Sequence, residues 1–277
     1  MSTWIFLRGL TREARHWGDF PSMFRAEITN ANVITPDFPG NGQLNTLTSL
    51  PSVREMVEYC RTELTSRSIP PPYHLLGLSL GAMAAVEWAS RYPRELLPSV
   101  LINTSMRPFS PFYHRLRPRN YLNLLRLAAL ENDAEKAERI VFRITSSSRE
   151  LNVDVIQAWA SYRDQNQVTR MNALRQLIAA VYYCAPMQRP DVPLLFLASA
   201  KDGLVNPQCS QRMADRWQSV LSAHAGAGHD LPLDDGAWLA QQVHQWLAHP
   251  AATTLPQWRP DQAAATVPIN GTPLSPR

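Results

Sequence analysis

The chain has 277 residues, of which 45% are hydrophobic and 18% charged, with a formal net charge of +4 and a pI near 9.1. These values fit one large globular domain, or a core carrying an insertion, and exclude collagen-like, repeat and broadly disordered chains. The positive charge is mild and no Lys/Arg block or zinc-finger pattern accompanies it, so no nucleic-acid partner is expected.

Trp4-Ile5-Phe6-Leu7 reads as a short buried strand that ends in a loop, Arg8-Gly9-Leu10-Thr11. His16, Trp17 and Phe20 belong to a helix or helical turn, and Asn32-Val33-Ile34-Thr35 is the next strand. Asp37-Phe38-Pro39-Gly40-Asn41-Gly42 then forms a turn-rich loop. A helix is expected over 52–65, because Ser52 can cap it, Glu55 stands three residues on, and Val53, Met56, Val57, Cys60 and Leu64 share one face. Tyr73 to Leu78 is a buried strand, followed at once by an alanine-rich helix over 80–91 and a strand at Val100-Leu101-Ile102-Asn103. Strands and helices alternating at this spacing imply a parallel sheet with helices on both faces.

The rhythm breaks after Ser105. Helical patterns at 122–130, 134–142, 153–163 and 169–182 follow one another with no convincing strand, so 106–190 reads as an inserted helical cap and 1–105 with 191–250 as the core. The sheet resumes at Pro193 to Ala198, followed by a helix over 207–217, a short strand near 219–223 and a last helix over 237–247. Beyond Pro250 the composition shifts to Ala, Thr, Pro and Gln, and 251–277 is expected to be a disordered tail. No apolar segment reaches the roughly 18–20 residues that a membrane-spanning helix needs. The N-terminus shows no basic leader or cleavage region, and Cys60, Cys184 and Cys209 form no CxxC pair, so a cytoplasmic location with idle thiols is expected.

Residues 77–81 read Gly-Leu-Ser-Leu-Gly directly after a strand and before a helix. That context places Ser79 on a sharp turn where a serine hydroxyl is exposed as a nucleophile. The five-residue match alone arises by chance too often to carry the reading, but a nucleophilic serine needs a base, and the base needs an orienting carboxylate. Asp202 lies in the loop after the strand at 193–198, and His229 lies in Gly226-Ala227-Gly228-His229-Asp230 after the next strand, so the order is serine, acid, base. His229 would take the Ser79 proton and return it to the leaving group, while Asp202 would fix the imidazole tautomer. Asp230 and Asp37 are weaker substitutes for Asp202: Asp230 directly follows the histidine and would point away, and Asp37 lies in a different loop. Two backbone N–H groups should receive the oxyanion, that of Leu80 after the nucleophile and that of Leu10 after the first strand.

With these motifs in place, the chain resembles the α/β-hydrolase superfamily over about residues 3 to 248. Arg8-Gly9-Leu10 matches its oxyanion loop, residues 37–42 its Asp-x-Pro-Gly-x-Gly loop, Gly77 to Gly81 its elbow, and Asp202 and His229 its acid and base. Size and cap position are similar to carboxylesterases of the pimeloyl-carrier-protein methyl esterase type and to lyase-like members of the menaquinone pathway. Two positions depart from the family pattern, with Arg8 and Asn41 where histidine is usual. Arg8 either supports the oxyanion loop from behind or reaches into the pocket to bind a substrate carboxylate.

The cap begins Arg107-Pro-Phe-Ser-Pro-Phe-Tyr-His-Arg-Leu-Arg-Pro-Arg119. Phe109, Phe112 and Tyr113 are candidates to line an acyl pocket, and Arg115 and Arg117, with Arg119, to receive an anionic group. That group could be a substrate carboxylate, a phosphopantetheine or an acidic acyl carrier protein; the alternative is a solvated basic face with aromatics in the cap core. The leading expectation is a serine esterase or thioesterase acting through an acyl-enzyme, with no metal or cofactor. Two others stay open: C–C bond hydrolysis, lactone opening or a lyase step with the same triad, and a non-catalytic receptor on the same scaffold.

Overall fold

The computed structural model describes residues 2–130, 133–148 and 150–249, so the tail expected at 251–277 lies outside the described residues. Six strands form one sheet: β1 (Ser2–Leu7), β2 (Ala31–Ile34), β3 (Tyr73–Leu78), β4 (Ser99–Ile102), β5 (Leu194–Ser199) and β6 (Val220–His224). Their order is β2-β1-β3-β4-β5-β6, and every neighbouring pair is parallel. Strands buried on both faces read as continuous apolar runs, which is why the patterns at 4–7, 73–78 and 194–198 stand out in the sequence.

Side chains alternate between two cores. Ile5 and Leu7 enter one cluster with the helices α2 (Val53–Ser66), α3 (Leu80–Arg91) and α9 (Gln208–Trp217). Trp4 and Phe6 enter the other with α1 (Phe20–Glu27) and α10 (Leu231–Leu247). As expected for a capped start, Ser52 Oγ accepts from the Glu55 N–H at 3.2 Å. The last helix begins six residues earlier than its apolar pattern suggests. Pro232 suits its first turn, but Asp235 leaves helical geometry (φ −156°) and interrupts the periodicity.

Between β4 and β5 the chain forms α4 (Phe112–Arg115), α5 (Tyr121–Ala129), α6 (Ala134–Thr145), α7 (Val153–Gln165) and α8 (Arg170–Tyr182). The short α4 is absent from the sequence reading, because a single turn carries no periodicity. Phe142, Ile156 and Trp159 make a separate small core within this block. The chain steps from β1 to β2 on one side, then returns to place β3 on the other. Open α/β sheets hold their ligands at such a switch point, outside the carboxyl ends of the strands. Here those ends lead into the Gly9-Leu10 loop and into Ser79. No described helix is long and apolar enough to cross a membrane.

Candidate active site

Ser79 sits between β3 and α3 with φ 57° and ψ −113°, a backbone conformation that is costly for a side-chain-bearing residue. Its N–H is held by the Ile102 carbonyl at 2.9 Å, and its own carbonyl accepts from Ala82 and Met83. The flanking glycines are required by close approach. A β-carbon on Gly81 would lie 1.9 Å from the Leu7 carbonyl oxygen, and one on Gly77 would lie 2.5 Å from the Gly81 oxygen. The elbow is therefore pressed against the end of β1. A β-carbon built on Gly9 would lie 3.4 Å from Ser79 Cβ, so the Gly9-Leu10 segment passes beside the serine. Leu80 is the first residue of α3, where a backbone N–H has no acceptor four residues back.

Asp202 and His229 meet. The His229 Nδ1–Asp202 Oδ2 distance is 2.7 Å, and both residues are buried. An ionised carboxylate only accepts, so Nδ1 carries the proton and Nε2 is left as the basic nitrogen. The other Asp202 oxygen accepts from the N–H groups of Leu204 and Val205, each at 2.8 Å, which fixes the carboxylate. Burial of the ring lowers the His229 pKa, but the Asp202 charge and hydrogen bond outweigh it, and the net shift is upward from 6.5.

Several residues outside the motifs hold this arrangement. Asn103, with φ 45°, donates to the carbonyls of His229 (2.8 Å) and Gly228 (3.2 Å) and accepts from the Ser199 N–H (2.8 Å). It follows Ile102, the acceptor for Ser79, and so links the Ser79 turn to the His229 loop. Asp234 accepts from the N–H groups of Gly228 (2.6 Å) and Ser147 (2.9 Å), joining the base loop to the end of α6. Gln176 of α8 is fully buried; it accepts from the Thr11 N–H (2.8 Å) and donates to Asn41 Oδ1 (2.8 Å) and Ser49 Oγ (3.0 Å). Asn41 thus meets the cap rather than the serine. Asp37 accepts from the Ala14 N–H (2.7 Å) and ties the two loops after β1 and β2. Burial pushes its pKa up to about 6. The Asn103–His229, Asp234–Ser147 and Gln176–Thr11 contacts have no local sequence signal, because their partners lie far along the chain.

Arg8 is buried and does not stand as a free cation. Its guanidinium donates to both carboxylate oxygens of Asp230, at 3.2 and 2.7 Å, and stacks 4.7 Å from the Trp17 ring centre. This corrects the expectation that it reaches a substrate carboxylate: its fork is matched by Asp230, at the start of α10 and 222 residues away in sequence.

None of the cap-entry residues named from the sequence lines the cavity found beneath α5 to α8. Phe109 packs edge-on against Trp217. Phe112 is 70% exposed and Tyr113 48% exposed. Arg115 donates to the carbonyls of Ala180 and Val181, at 2.5 and 3.1 Å, and Arg119 to that of Gly203. Arg117 gives its backbone N–H to the Leu204 carbonyl. An amphipathic segment of alternating aromatics and arginines fits a pocket wall or a surface equally well, and here it covers the core.

The cavity lies deeper. A space of about 390 Å³ is enclosed by α5 to α8 above and by the loop after β1 below. Leu10 lines it, which brings it to the oxyanion loop beside Ser79. Most of its wall is apolar, with Leu124, Leu127, Val141 and Leu177 contributing. Among the described residues, no group of three or more His, Cys, Asp or Glu could hold a metal ion.

Comparison with known proteins agrees with the fold. Solved structures superpose over most of the chain at low identity. A thermophilic esterase from Thermogutta terrifontis (malate bound) matches with a TM-score of 0.69 at 19% identity, covering 92% of this chain and 91% of its own. A hydrolase from Pseudomonas aeruginosa matches with a TM-score of 0.71 at 16% identity, covering 90% of each chain. A bacterial membrane phospholipase A matches with a TM-score of 0.72 at 15% identity, covering 89% of this chain and 78% of its own. No curated protein matches. Identities this low show the fold alone. The sequence profile of the alpha/beta hydrolase family, however, matches residues 4–242, which spans every strand but the first two residues of β1 and reaches into α10. A parallel sheet with a strained serine at its switch point and a profile match of this length lead to one conclusion: the chain belongs to the alpha/beta hydrolase family.

Proposed function

We propose that this protein is a serine hydrolase that cleaves a carboxylic ester or thioester through an acyl-enzyme. The observation that carries the reading is the buried 2.7 Å contact between His229 Nδ1 and Asp202 at the same sheet edge as the strained Ser79. Ser79 Oγ attacks the acyl carbon, and His229 Nε2 takes its proton. The tetrahedral oxyanion is received by the N–H groups of Leu80 and Leu10, each such donor being worth roughly 3–4 kcal/mol in the transition state. Collapse expels the alcohol or thiol, which regains a proton from His229. Water, deprotonated by the same nitrogen, then releases the acid and restores Ser79.

The acyl part enters the cavity beneath the cap, whose apolar wall suits an alkyl chain. A finer form of the reading places the acyl group on an acidic carrier protein that meets the basic stretch ending in Arg117 and Arg119. Arg117→Glu should then slow turnover of a carrier-bound ester more than that of the free ester. The reading itself is tested with a short-chain aryl ester series. Wild type should turn over at least one member, and Ser79→Ala none above background. Failure of well-folded wild type on oxygen esters and thioesters alike would refute it.

A further inference from the structure

The cavity wall is not uniformly apolar. Arg12 donates through Nη1 to Glu138 Oε2 at 2.7 Å, and the same nitrogen lies 2.8 Å from His16 Nε2. Arg163 donates through Nη1 to Glu138 Oε1 at 3.1 Å. All four residues line the cavity. One carboxylate thus stands between two guanidinium groups. Glu13, the other lining carboxylate, is taken by Arg15, which lies outside the lining. His16 adds no charge to this balance, because burial and then the Arg12 and Arg8 charges hold its pKa well below 6.5. The Arg12–Glu138–Arg163 group therefore carries a surplus positive charge.

Its hydrogen bonding is also incomplete. Arg12 Nη2 and Arg163 Nε are buried without a partner. The Arg12 guanidinium carbon lies over the Trp159 ring, 4.4 Å from its centre. A buried charged donor left unsatisfied is destabilising, and a surplus charge in an apolar wall adds to that cost. Both deficits are removed by one kind of ligand group, an anion with acceptor oxygens. Arg12 lies two residues beyond Leu10, so such a group would be held in the same cavity that Leu10 lines, next to the Gly9 segment that passes beside Ser79.

We propose that the Arg12–Glu138–Arg163 cluster is an anion-recognition site, and that the substrate carries a carboxylate which docks there while its ester lies at Ser79. The proposal rests on the serine-hydrolase reading for the ester. The carboxylate site itself is independent of turnover. A charge-assisted pair of hydrogen bonds of this kind corresponds to about a 10–100-fold preference.

Two measurements test it. In the first, calorimetry on Ser79→Ala protein compares hexanoate with hexanamide, which share a tail and differ in charge. Hexanoate should bind about tenfold tighter or better, and Arg163→Gln should abolish the difference. Equal binding of the two, or a preference untouched by Arg163→Gln, overturns the proposal. In the second, aryl monoesters of adipate and hexanoate are compared by kcat/KM. Wild type should favour the adipate ester. The ratio should fall about tenfold or more in Arg163→Gln and recover in part in Arg163→Lys, whereas loss of a mere cap-to-core latch would lower both rates and leave the ratio. Glu138→Gln, which enlarges the surplus charge, should raise the ratio. Hydrolysis of both esters at an unshifted ratio sinks the anion site and keeps the hydrolase. Hexanoate binding without any ester turnover keeps the site and sinks the hydrolase reading.

Discussion

Helix α3 beneath the nucleophile and helices α5 and α8 of the cap are similar in length but packed very differently. Ten of the twelve residues of α3 are buried, and the helix starts where the Gly81 backbone touches the end of β1. By contrast, α8 leaves Met171, Leu174, Ile178, Val181 and Tyr182 largely exposed, and α5 leaves Leu122 and Leu125 so. The contrast separates two tasks. A nucleophile needs its atoms fixed to within about half an ångström, which a close-packed sheet edge supplies. A cap that admits and shapes a substrate needs less packing and more variety, and its low burial leaves room for the cavity. On the proposed reading, reaction type resides in the sheet edge, and selectivity in the wall formed by α5 to α8.

Substitutions at the sheet edge should be the most severe. Ser79→Ala is expected to lower kcat/KM by about 10⁴–10⁶ with thermal stability retained, a split that steady-state kinetics and a melting curve read together. Asp202→Asn should cost on the order of 10⁴ in kcat by leaving His229 in the wrong tautomer. Gly81→Ala should act through the fold instead. A methyl group placed 1.9 Å from the Leu7 oxygen forces β1 and α3 apart, and a loss of about 3 kcal/mol is expected by chemical denaturation. A small effect would show that the elbow is less tightly held than described.

The boundary between the two regions should respond at an intermediate level. Gln176→Ala removes the acceptor of the Thr11 N–H and the donor to Asn41, at about 1–3 kcal/mol. It should also lower kcat/KM, because Thr11 adjoins the oxyanion loop. Loss of stability with unchanged kinetics would mean that the cap does not position that loop. The pH profile gives the mildest test. His229 acts as a base only when neutral, and its pKa is raised above 6.5. The acidic limb of kcat/KM should therefore lie above 6.5 and move down when Asp202 is replaced by Asn.

The two regions also differ in how far they can be read from the chain. The strands show as apolar runs, the Ser52 cap as a local pattern, and the elbow as two glycines that tolerate no side chain. Asp202 and His229 show through their order after late strands. All of these are constraints within a few residues. The position of Arg8 depends on Asp230, that of Gln176 on Thr11 and Asn41, and that of Asn103 on His229. Those pairings are made by tertiary folding between segments more than a hundred residues apart and leave no local trace. Arginines near Phe112 and Tyr113 resemble a binding wall in sequence, yet the aromatic rings face solvent, and the cavity is instead lined by Arg12 and Arg163.

The central claim, that the sheet edge is built to activate Ser79, is tested most directly by fluorophosphonate labelling followed by peptide mass spectrometry. A single adduct on Ser79, abolished by His229→Ala, is the result this account predicts. Folded wild-type protein that takes up no label at Ser79, or labels equally without His229, would contradict it.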